Sequence, residues 1–297
     1  MTFGERRKQV DLKAILKDMD AIESAFLTSS QKLNKKRLEL LEKKMNKLIP
    51  QLESAKGTNE FEAFLTTISL PSHKEYGKLI SKLIHTSASL GSIRANEELK
   101  YLRGKYQFAE NVFPEVIGEA VIEAGLTPEA QTALDEYAMQ ITAITESTVV
   151  EAIKRVLSQE FNAGLTPQEI ATSVMETAGS WMSPSYANTI ARTEMSKMYN
   201  SARLARYTSE ENKGFVVALQ YDAIIDTRTT KVCRHLDGLI IDIKRKDLIA
   251  EYSPPNHFQC RSVWLPVTKF ETWEDNWSTS EKPEKGFAHS APNLAVS

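Results

Sequence analysis

The N-terminal part of the chain constrains the fold most, because residues 5 to about 56 predict one long helix with charges on most of its faces. Within it, Leu38, Leu41, Met45 and Leu48 follow one another at spacings of three, four and three residues. This spacing places the four side chains in a narrow apolar stripe. Such a stripe is typical of a coiled-coil or helical-hairpin seam, so we expect a helix that packs along one side only.

Charge is distributed unevenly along the sequence. The whole chain has a net charge of about −2, which excludes a general basic field for nucleic acid or an anionic membrane. Residues 1–56 nevertheless contain 13 Lys and Arg residues against 8 Asp and Glu residues. A solvated helix surface is the favoured interpretation of this excess. The alternative is a basic arm that contacts an acidic partner or DNA phosphates.

Residues 60–205 continue the helical pattern, and two similar segments mark helix boundaries within it, AGLTPEA at 124–130 and AGLTPQE at 163–169. In each segment a glycine ends one helix, a threonine caps the next helix, and a proline takes the first helical position. The second segment also completes a capping box with Glu169. The residues concerned are Gly125, Thr127 and Pro128, then Gly164, Thr166 and Pro167.

A further helix is predicted over residues 185–207. The residues expected to face inward are Ile190, Thr193 and Ala202, and those expected at the margins are Arg192, Lys197 and Arg203.

The pattern changes near residue 213. GFVVALQYDA at 214–223 is rich in β-branched and aromatic residues and predicts a strand. TTKVCRHLDG predicts a short helix or turn that closes at Asp237-Gly238, and LIIDI and VWLPV (263–267) predict two more strands. The fold class is therefore α+β, with a mostly helical N-terminal region of long helices followed by a small α+β module and an extended tail.

Four segments follow from these patterns: a charged arm at 1–60, a helical domain at 61–212, the small module at 213–267, and a tail at 268–297. The tail is rich in Ser, Pro, Glu and Lys and has no periodicity. We expect it to be flexible, or to become ordered against a partner.

Both cysteines and two of the five histidines of the chain lie in the C-terminal module, as Cys233 and His235 in VCRHLDG and His257 and Cys260 in PPNHFQC. Both spacings, Cys-x-His and His-x-x-Cys, are expected to let the two side chains of a pair converge on one ion. Thiolate and imidazole ligands suit zinc in a tetrahedral site. Pro254 and Pro255 would stiffen the second loop. Three interpretations stay open: a zinc clamp, a metal-free structural turn, and a catalytic Cys-His pair.

Polar residues precede Cys233 in the segment DTRTTKVC. Asp226 or Thr229 is expected to cap the short helix that carries Cys233. Arg228 and Arg261 would either bind phosphate or pair with acidic side chains of the same chain, namely Asp226, Asp237 or Glu194. Internal pairing is the favoured interpretation.

Several function classes lack their sequence signature. HExxH, P-loop, GxSxG and zinc-deaminase motifs are absent. The N-terminus has no apolar signal-peptide run, no segment approaches the length of a membrane span, and two cysteines do not make a disulfide framework. We therefore expect a soluble protein made in a reducing compartment.

Three segments together resemble the phage head morphogenesis family, the Mu F-like minor head proteins: IARTEMSKMYNSAR at 190–203, DTRTTKVCRHLDG at 226–238 and PPNHFQCRS at 254–262. The resemblance covers about 80 residues. One position departs from the family pattern, because Ser262 stands where the family usually has a further cysteine. The residues that match the family motifs are Arg192, Thr193, Glu194, Asp226, Arg228, Thr229, Cys233, Asp237, Gly238, Pro254, Pro255, His257, Cys260 and Arg261.

The resemblance implies a minor capsid protein that is made in the host cytoplasm and lies inside the capsid of a tailed phage. It implies association with the portal protein, and with major capsid or scaffolding protein, in head morphogenesis and in DNA packaging or ejection. Viral double-stranded DNA is a further expected contact, and a membrane is not. Two alternatives stay open: an enzyme, such as a nuclease or transferase, that uses the region of His257, Arg261 and Glu194, and a DNA-binding protein that acts through the basic arm. The favoured expectation is that the chain is not an enzyme.

Overall fold

The computed structural model describes residues 3–54, 58–107, 126–290, 292 and 294. Lys56 and Gly125 lie outside the described residues, as do the side chains of Arg6, Arg7, Lys8 and Lys13. The elements, in chain order, are α1 (Phe3–Ser54), α2 (Thr58–Thr66), α3 (His73–Gln107), α4 (Pro128–Asn162), α5 (Pro167–Trp181), α6 (Pro184–Tyr207), β1 (Val216–Asp222), α7 (Lys231–Leu236), β2 (Ile240–Asp242), α8 (Lys246–Tyr252) and β3 (Val263–Thr268). The predicted α+β class is confirmed.

The chain divides into two compact units. The first unit takes residues 1–24, 82–135 and 189–297, and the second takes residues 25–81 and 136–188. The four predicted segments, 1–60, 61–212, 213–267 and 268–297, are each continuous in sequence, whereas each compact unit combines separate ranges. The four-segment division stays a prediction.

The second unit has a core of aliphatic and aromatic side chains from its helices. The stripe predicted in α1 faces this core, because Leu41 and Met45 are buried and Leu38 and Leu48 pack beside them. We call the buried residues of this cluster the aliphatic core: Leu41, Met45, Phe61, Phe64, Ile68, Leu70, Val149, Ile153, Leu157, Ile170, Ala171, Val174, Ala178 and Met182.

Local signals place the helix boundaries around residue 165 as the sequence predicts. Gly164 has a φ of 76°, a left-handed conformation that glycine adopts without strain. The backbone N–H of Glu169 donates to the Thr166 hydroxyl, and the Glu169 carboxylate accepts from the Thr166 N–H at 2.8 Å, so the capping box is confirmed. At the start of α4, the Thr127 hydroxyl accepts from the N–H of Ala130 at 3.2 Å.

Helix α6 lies in the predicted place, and Ile190, Thr193 and Ala202 are buried as expected. The placement of Arg203 at the helix margin is wrong, because its side chain is buried with 2% exposure. Its guanidinium lies 2.8 Å from the Glu98 carboxylate, which also accepts from the Tyr207 hydroxyl at 2.6 Å. Burial of a charge is tolerated when an opposite charge and hydrogen bonds compensate for lost water. Lys197 is likewise buried rather than marginal.

The three predicted strands form an antiparallel sheet in the order β2-β1-β3. Every residue of β3 is buried, and the centre of β1 pairs with both neighbours, Leu219 facing Ile241 on one side and Pro266 on the other. Gly238 has a φ of 83° and its N–H donates to the Tyr221 carbonyl at 2.8 Å. The tight turn predicted at Asp237-Gly238 therefore leads α7 directly back onto the sheet.

The tail differs from the expectation of a flexible or partner-ordered segment. Trp277 is buried against the same chain, with its ring centroid 5.4 Å from Tyr252 and 5.6 Å from Trp264. Phe287 packs edge-on against Phe258 at 5.0 Å. Described tail residues thus pack on the C-terminal module without regular secondary structure, which explains why periodicity in the sequence did not reveal their order.

Candidate metal centre

The segment that carries Cys233 leaves the sheet at the end of β1 and returns to it at β2. The Thr229 hydroxyl donates to the Ile224 carbonyl at 2.6 Å and accepts from the Asp226 N–H at 2.8 Å, which folds the loop before α7. The prediction that Asp226 or Thr229 caps α7 is wrong, since Thr230 is the N-cap residue. Both side chains bond within the loop that precedes the helix. The Asp237 carboxylate, after α7, accepts from the N–H of Ala223, after β1, at 2.9 Å and so joins the two ends of this segment.

The segment that carries His257 and Cys260 runs between α8 and β3, and its two prolines, Pro254 and Pro255, are buried. The Asn256 side-chain amide donates to the Tyr252 carbonyl at 3.1 Å and to the Tyr221 hydroxyl at 2.8 Å. The neighbouring helix α6 also holds this loop. The Thr193 hydroxyl accepts from the N–H of Gln259 at 3.1 Å, so a residue of the ARTE motif positions the PPNHFQC segment.

The three donor atoms of Cys233, His257 and Cys260 lie within 4.8 Å of one another, and all three side chains are buried. We call these three residues the thiol–imidazole cluster. The two sulfur atoms are 3.6 Å apart, and the Tyr221 hydroxyl lies 3.3 Å from Cys233 Sγ. Among the described residues, this is the group of histidine, cysteine and carboxylate side chains that can hold a metal ion.

The structure does not bring His235 into this cluster. Its side chain is exposed, and its Nε2 lies 3.3 Å from the Ser278 carbonyl. Cys233 and His235 are two residues apart on α7, and residues at this spacing point about 200° apart around a helix axis. The predicted convergence of the Cys-x-His pair is therefore wrong, whereas that of the His-x-x-Cys pair is observed.

The two thiols of the cluster differ in the direction of their pKa shifts. The pKa of Cys233 is lowered, chiefly by the hydrogen bond with Cys260 and, more weakly, by bonds with His257, Ser262 and Tyr221. The pKa of Cys260 is raised by burial and by the neighbouring Cys233. For His257, burial acts to lower the pKa, but the hydrogen bond and charge of Cys233 raise it overall. Cys233 is therefore the more acidic of the two thiols.

A second contact ties the two loops together outside the cluster. The Arg261 guanidinium donates to both carboxylate oxygens of Asp226, at 2.6 and 2.7 Å. These bonds hold the pKa of Asp226 well below its usual range. The favoured internal pairing of Arg261 is therefore observed. Arg228 is exposed, with its guanidinium 3.9 Å from the same carboxylate, and Asp226 also accepts from the Arg228 N–H at 2.8 Å.

The remaining motif residues lie on α6, in the first unit. Arg192 Nε donates to the Glu23 carboxylate at 2.8 Å, and Glu194 is buried with 8% exposure.

The donor set of the cluster fits zinc. Two thiolates and one imidazole are soft and borderline ligands of the kind that zinc prefers. The Phe258 carbonyl, which can only accept, lies 2.8 Å from His257 Nδ1, so that nitrogen carries the hydrogen. A neutral ring then presents its lone pair at Nε2, as metal-ligating histidines with an outer carbonyl partner do. Cys233, His257 and Cys260 would hold the metal, and the metal would contribute to the stability of the fold.

Sequence reasoning missed three residues around the cluster: Tyr221, Asn256 and Ser262. Tyr221 lies on β1, where alternation indicates only a buried face, and Asn256 lies inside the PPNHFQC motif without being singled out. Ser262 was noted only as a departure from a pattern. In the structure Ser262 is 2% exposed and its backbone carbonyl accepts from the Asn200 side-chain amide at 3.1 Å, and its position two residues after Cys260 was the available signal.

The fold and the cluster together define a helical protein whose C-terminal α+β module is closed by buried cysteine and histidine side chains. Residues 151–265 match the family model of phage Mu protein F like proteins, which confirms the resemblance carried by the three motifs. No curated protein and no solved structure match the chain. The family match indicates a phage head morphogenesis protein and implies a place in the virion. In the described part of the chain, no helix has the length and apolar character needed to cross a membrane.

Proposed function

We propose that the chain is a minor head protein of a tailed phage that associates with the portal protein inside the capsid and acts in head morphogenesis and in DNA packaging or ejection. One observation carries the proposal: the matched region, 151–265, contains the three motif segments, and these segments contact one another within the first unit. Contacts with major capsid or scaffolding protein belong to the same proposal.

The motif residues support an architectural role. Thr193 bonds to the loop of Gln259, Arg261 bonds to Asp226, and Asp237 bonds to the start of its own loop. Side chains used in this way hold segments of the first unit together. A rigid module of this kind would present its outer surface, and that of the long helices, to neighbouring head proteins.

Composition of the particle tests the proposal. We expect peptide mass spectrometry of proheads and mature particles from the producing phage to detect this chain in few copies per particle. Particles assembled without the portal protein should lack it, while major capsid protein is retained as the internal control. Absence of the chain from both proheads and mature particles would contradict the head role. Unchanged amounts without the portal would contradict the portal association alone.

An enzymatic function has less support. His257 is 8% exposed and both thiols are 2% exposed, so a substrate would have no direct approach to the cluster. Arg261 is engaged by Asp226, and Glu194 is buried. We therefore propose a non-catalytic protein rather than a nuclease or transferase that uses His257, Arg261 and Glu194.

We further propose that the thiol–imidazole cluster binds zinc and that zinc acts as a structural clamp. The clamp would join the α7 segment to the segment before β3, which are also joined by the Arg261–Asp226 pair. Ligands on separate segments convert metal-binding free energy into folding free energy, because the unfolded chain does not hold them together.

Metal analysis of protein purified without chelator tests the clamp. We expect close to one zinc per chain, loss of zinc in Cys233→Ala and His257→Ala, and a lower melting temperature in both variants. His235→Ala is the matched control, since His235 is exposed and outside the cluster, and it should retain zinc. Wild-type protein with far less than one zinc per chain would show that the clamp is metal-free.

A second candidate function is DNA contact through the basic part of α1. Lys32, Lys36, Lys43 and Lys47 are exposed, and their spacings of four, seven and four residues place them on one side of the helix. Glu39 and Glu42 are also exposed nearby and weaken this field. The four lysines support a non-specific contact with DNA phosphates, and this contact can coexist with the role in the phage head.

A salt titration of duplex binding tests DNA contact. We expect affinity to fall steeply with salt, and replacement of the four lysines by glutamine to reduce the slope of log affinity against log salt by about one per lost phosphate contact. Glutamine at Lys213, Lys244 and Lys246, three exposed lysines of the C-terminal region, is the control and should leave the slope unchanged. Negligible affinity at low salt would contradict DNA contact.

A further inference from the structure

The thiol–imidazole cluster brings the two cysteines of the chain into direct contact. Cys233 lies on α7 and Cys260 lies 27 residues later, in the segment before β3, and their Sγ atoms are 3.6 Å apart. Both side chains are buried, and both cysteines are free thiols in the structure. Because the sequence contains only these two cysteines, an intramolecular disulfide can join no other pair.

Contacts on both sides of Cys260 hold the two cysteine-bearing segments next to each other. The Arg261 guanidinium donates to the Asp226 carboxylate, in the loop before α7, at 2.6 and 2.7 Å. On the other side of Cys260, the Gln259 N–H donates to the Thr193 hydroxyl of α6 at 3.1 Å. The chain on either side of Cys260 is therefore fixed while its side chain points at the second thiol.

The remaining distance between the two sulfur atoms is short. A disulfide bond is about 2 Å long, so the two Sγ atoms would have to approach each other by about 1.5 Å. Cys260 lies outside regular secondary structure and Cys233 lies on a helix of six residues. Rotation of the two side chains with a small shift of these short segments supplies the approach, and the Arg261–Asp226 pair can stay in place.

Zinc and a disulfide exclude each other in this cluster. Cysteine binds metal as a thiolate, and a sulfur atom bonded to a second sulfur is no longer a thiolate. Closure of the disulfide would leave His257 as the remaining ligand of the three, which is too few to hold zinc. A disulfide can form in the metal-free cluster, however, because only the two sulfur atoms take part in the bond.

The position of the cluster limits the oxidant to a small molecule. Both thiols are 2% exposed and His257 is 8% exposed, but Phe258, the next residue of the same loop, is 62% exposed. The cluster therefore lies directly beneath a surface loop, and local opening of such a loop admits small reagents. Hydrogen peroxide is an oxidant of this size.

We propose that Cys233 and Cys260 are a cross-linking site, which closes to an intramolecular disulfide when the protein meets a peroxide outside a reducing compartment. One cysteine attacks the peroxide as its thiolate, the O–O bond breaks, and the thiol proton goes to the departing oxygen, which leaves as water. The other thiol attacks the resulting sulfenic sulfur, the S–S bond forms, and a second water molecule leaves. The two thiols together lose two electrons, and one peroxide is reduced to two water molecules. Closure joins α7 covalently to the segment before β3, and it does not require the zinc clamp.

Oxidation of the full chain tests the cross-link. Metal is removed with a chelator, the protein is treated with hydrogen peroxide, and the remaining thiols are blocked with N-ethylmaleimide in denaturant before digestion and mass spectrometry. We expect the alkylatable thiols to fall from two per chain to none, with a pair of peptides joined through Cys233 and Cys260. Dithiothreitol should restore both thiols. Thiols that stay alkylatable, that are oxidised singly to sulfinic acid, or that link separate chains would overturn the proposal.

Cys233→Ser is the matched control, because it keeps Cys260 and removes its partner sulfur. It should yield no joined peptides within one chain, and circular dichroism reports whether its fold is retained; the wild-type result stands without it. A second arm repeats the oxidation of wild type with one zinc added per chain. Slower closure with zinc would support both the cross-link and the zinc clamp. Closure at an unchanged rate would support the cross-link and contradict the clamp, so the two proposals can fail separately.

Discussion

In the second unit, apolar side chains of α1, α4 and α5 meet at regular helical intervals. The cluster that includes the C-terminal module takes its buried residues from strands, short helices and loops as well as from α3 and α6. The aliphatic core contains mostly Leu, Ile, Val, Ala, Phe and Met. The cluster that includes the module contains both cysteines and the aromatic residues Tyr207, Tyr221, Tyr252, Trp264 and Trp277.

This difference teaches how each region is stabilised. In the aliphatic core, each side chain contributes mainly its own apolar area, and local helix propensity supports the packing. In the module, a few polar junctions connect segments that have little regular structure of their own, such as Asn256 with Tyr221 and Arg261 with Asp226. Loss of one junction should therefore affect several segments of the module together.

The largest effect is expected for Trp264→Ala in the module. Trp264 has no exposed surface, lies 5.3 Å from the ring of Tyr221, and donates its indole N–H to the Ser253 hydroxyl at 3.1 Å. Its removal should lower the free energy of unfolding by about 3–5 kcal/mol. Hydrogen exchange read by mass spectrometry should show faster exchange across β1, α7, α8 and β3. Trp273→Ala, at a half-buried tryptophan, is the control, and an equal loss there would contradict the central role of Trp264.

A smaller and more local effect is expected for Leu157→Ala in the aliphatic core. Leu157 is fully buried on α4, and truncation of a buried leucine costs about 2–5 kcal/mol. Because the core is built from repeated contacts, faster exchange should remain within the second unit. Met139→Ala on the same helix, at 65% exposure, should change stability by less than about 0.5 kcal/mol. Faster exchange throughout the module as well would remove the proposed contrast between the regions.

The smallest effect is expected for the Asp226–Arg261 junction, and it should depend on pH. The folded state lowers the pKa of Asp226, so its stabilisation is fully present above the unfolded pKa near 4 and is lost as pH falls toward the folded value. The melting-temperature difference between wild type and Asp226→Asn should therefore narrow as the solution is acidified from neutral pH. Glu274→Gln, at an exposed carboxylate, is the control. A difference that stays constant down to pH 3 would show that the charge of Asp226 does not stabilise the module.

Much of the fold was predictable because its signals are local. The stripe of α1, the capping box of Thr166 and Glu169, and the three strands depend on residues close together in sequence. The charged residues of α6 were harder to place. Arg203 is buried because Glu98, on another helix, compensates its charge, and nothing near Arg203 in the sequence indicates that partner.

The candidate site was predictable in composition but not in membership. The sequence pairs Cys233 with His235, whereas helix geometry turns these two side chains away from each other. The residues that meet Cys233 are His257 and Cys260, which follow it by 24 and 27 residues. The contact of Tyr221 with Cys233 was apparent only once the structure placed β1 beside α7.

The sequence by itself determined the helices, their caps, the change to an α+β module and the residue types of the cluster, because hydrophobic periodicity and capping act over a few residues. Only the tertiary structure decided that Trp277 closes the module, that His235 stays outside the cluster and that the Tyr221 hydroxyl lies beside it. These outcomes depend on side-chain directions and on contacts between distant segments, and such contacts are set by packing in three dimensions rather than by the order of residues.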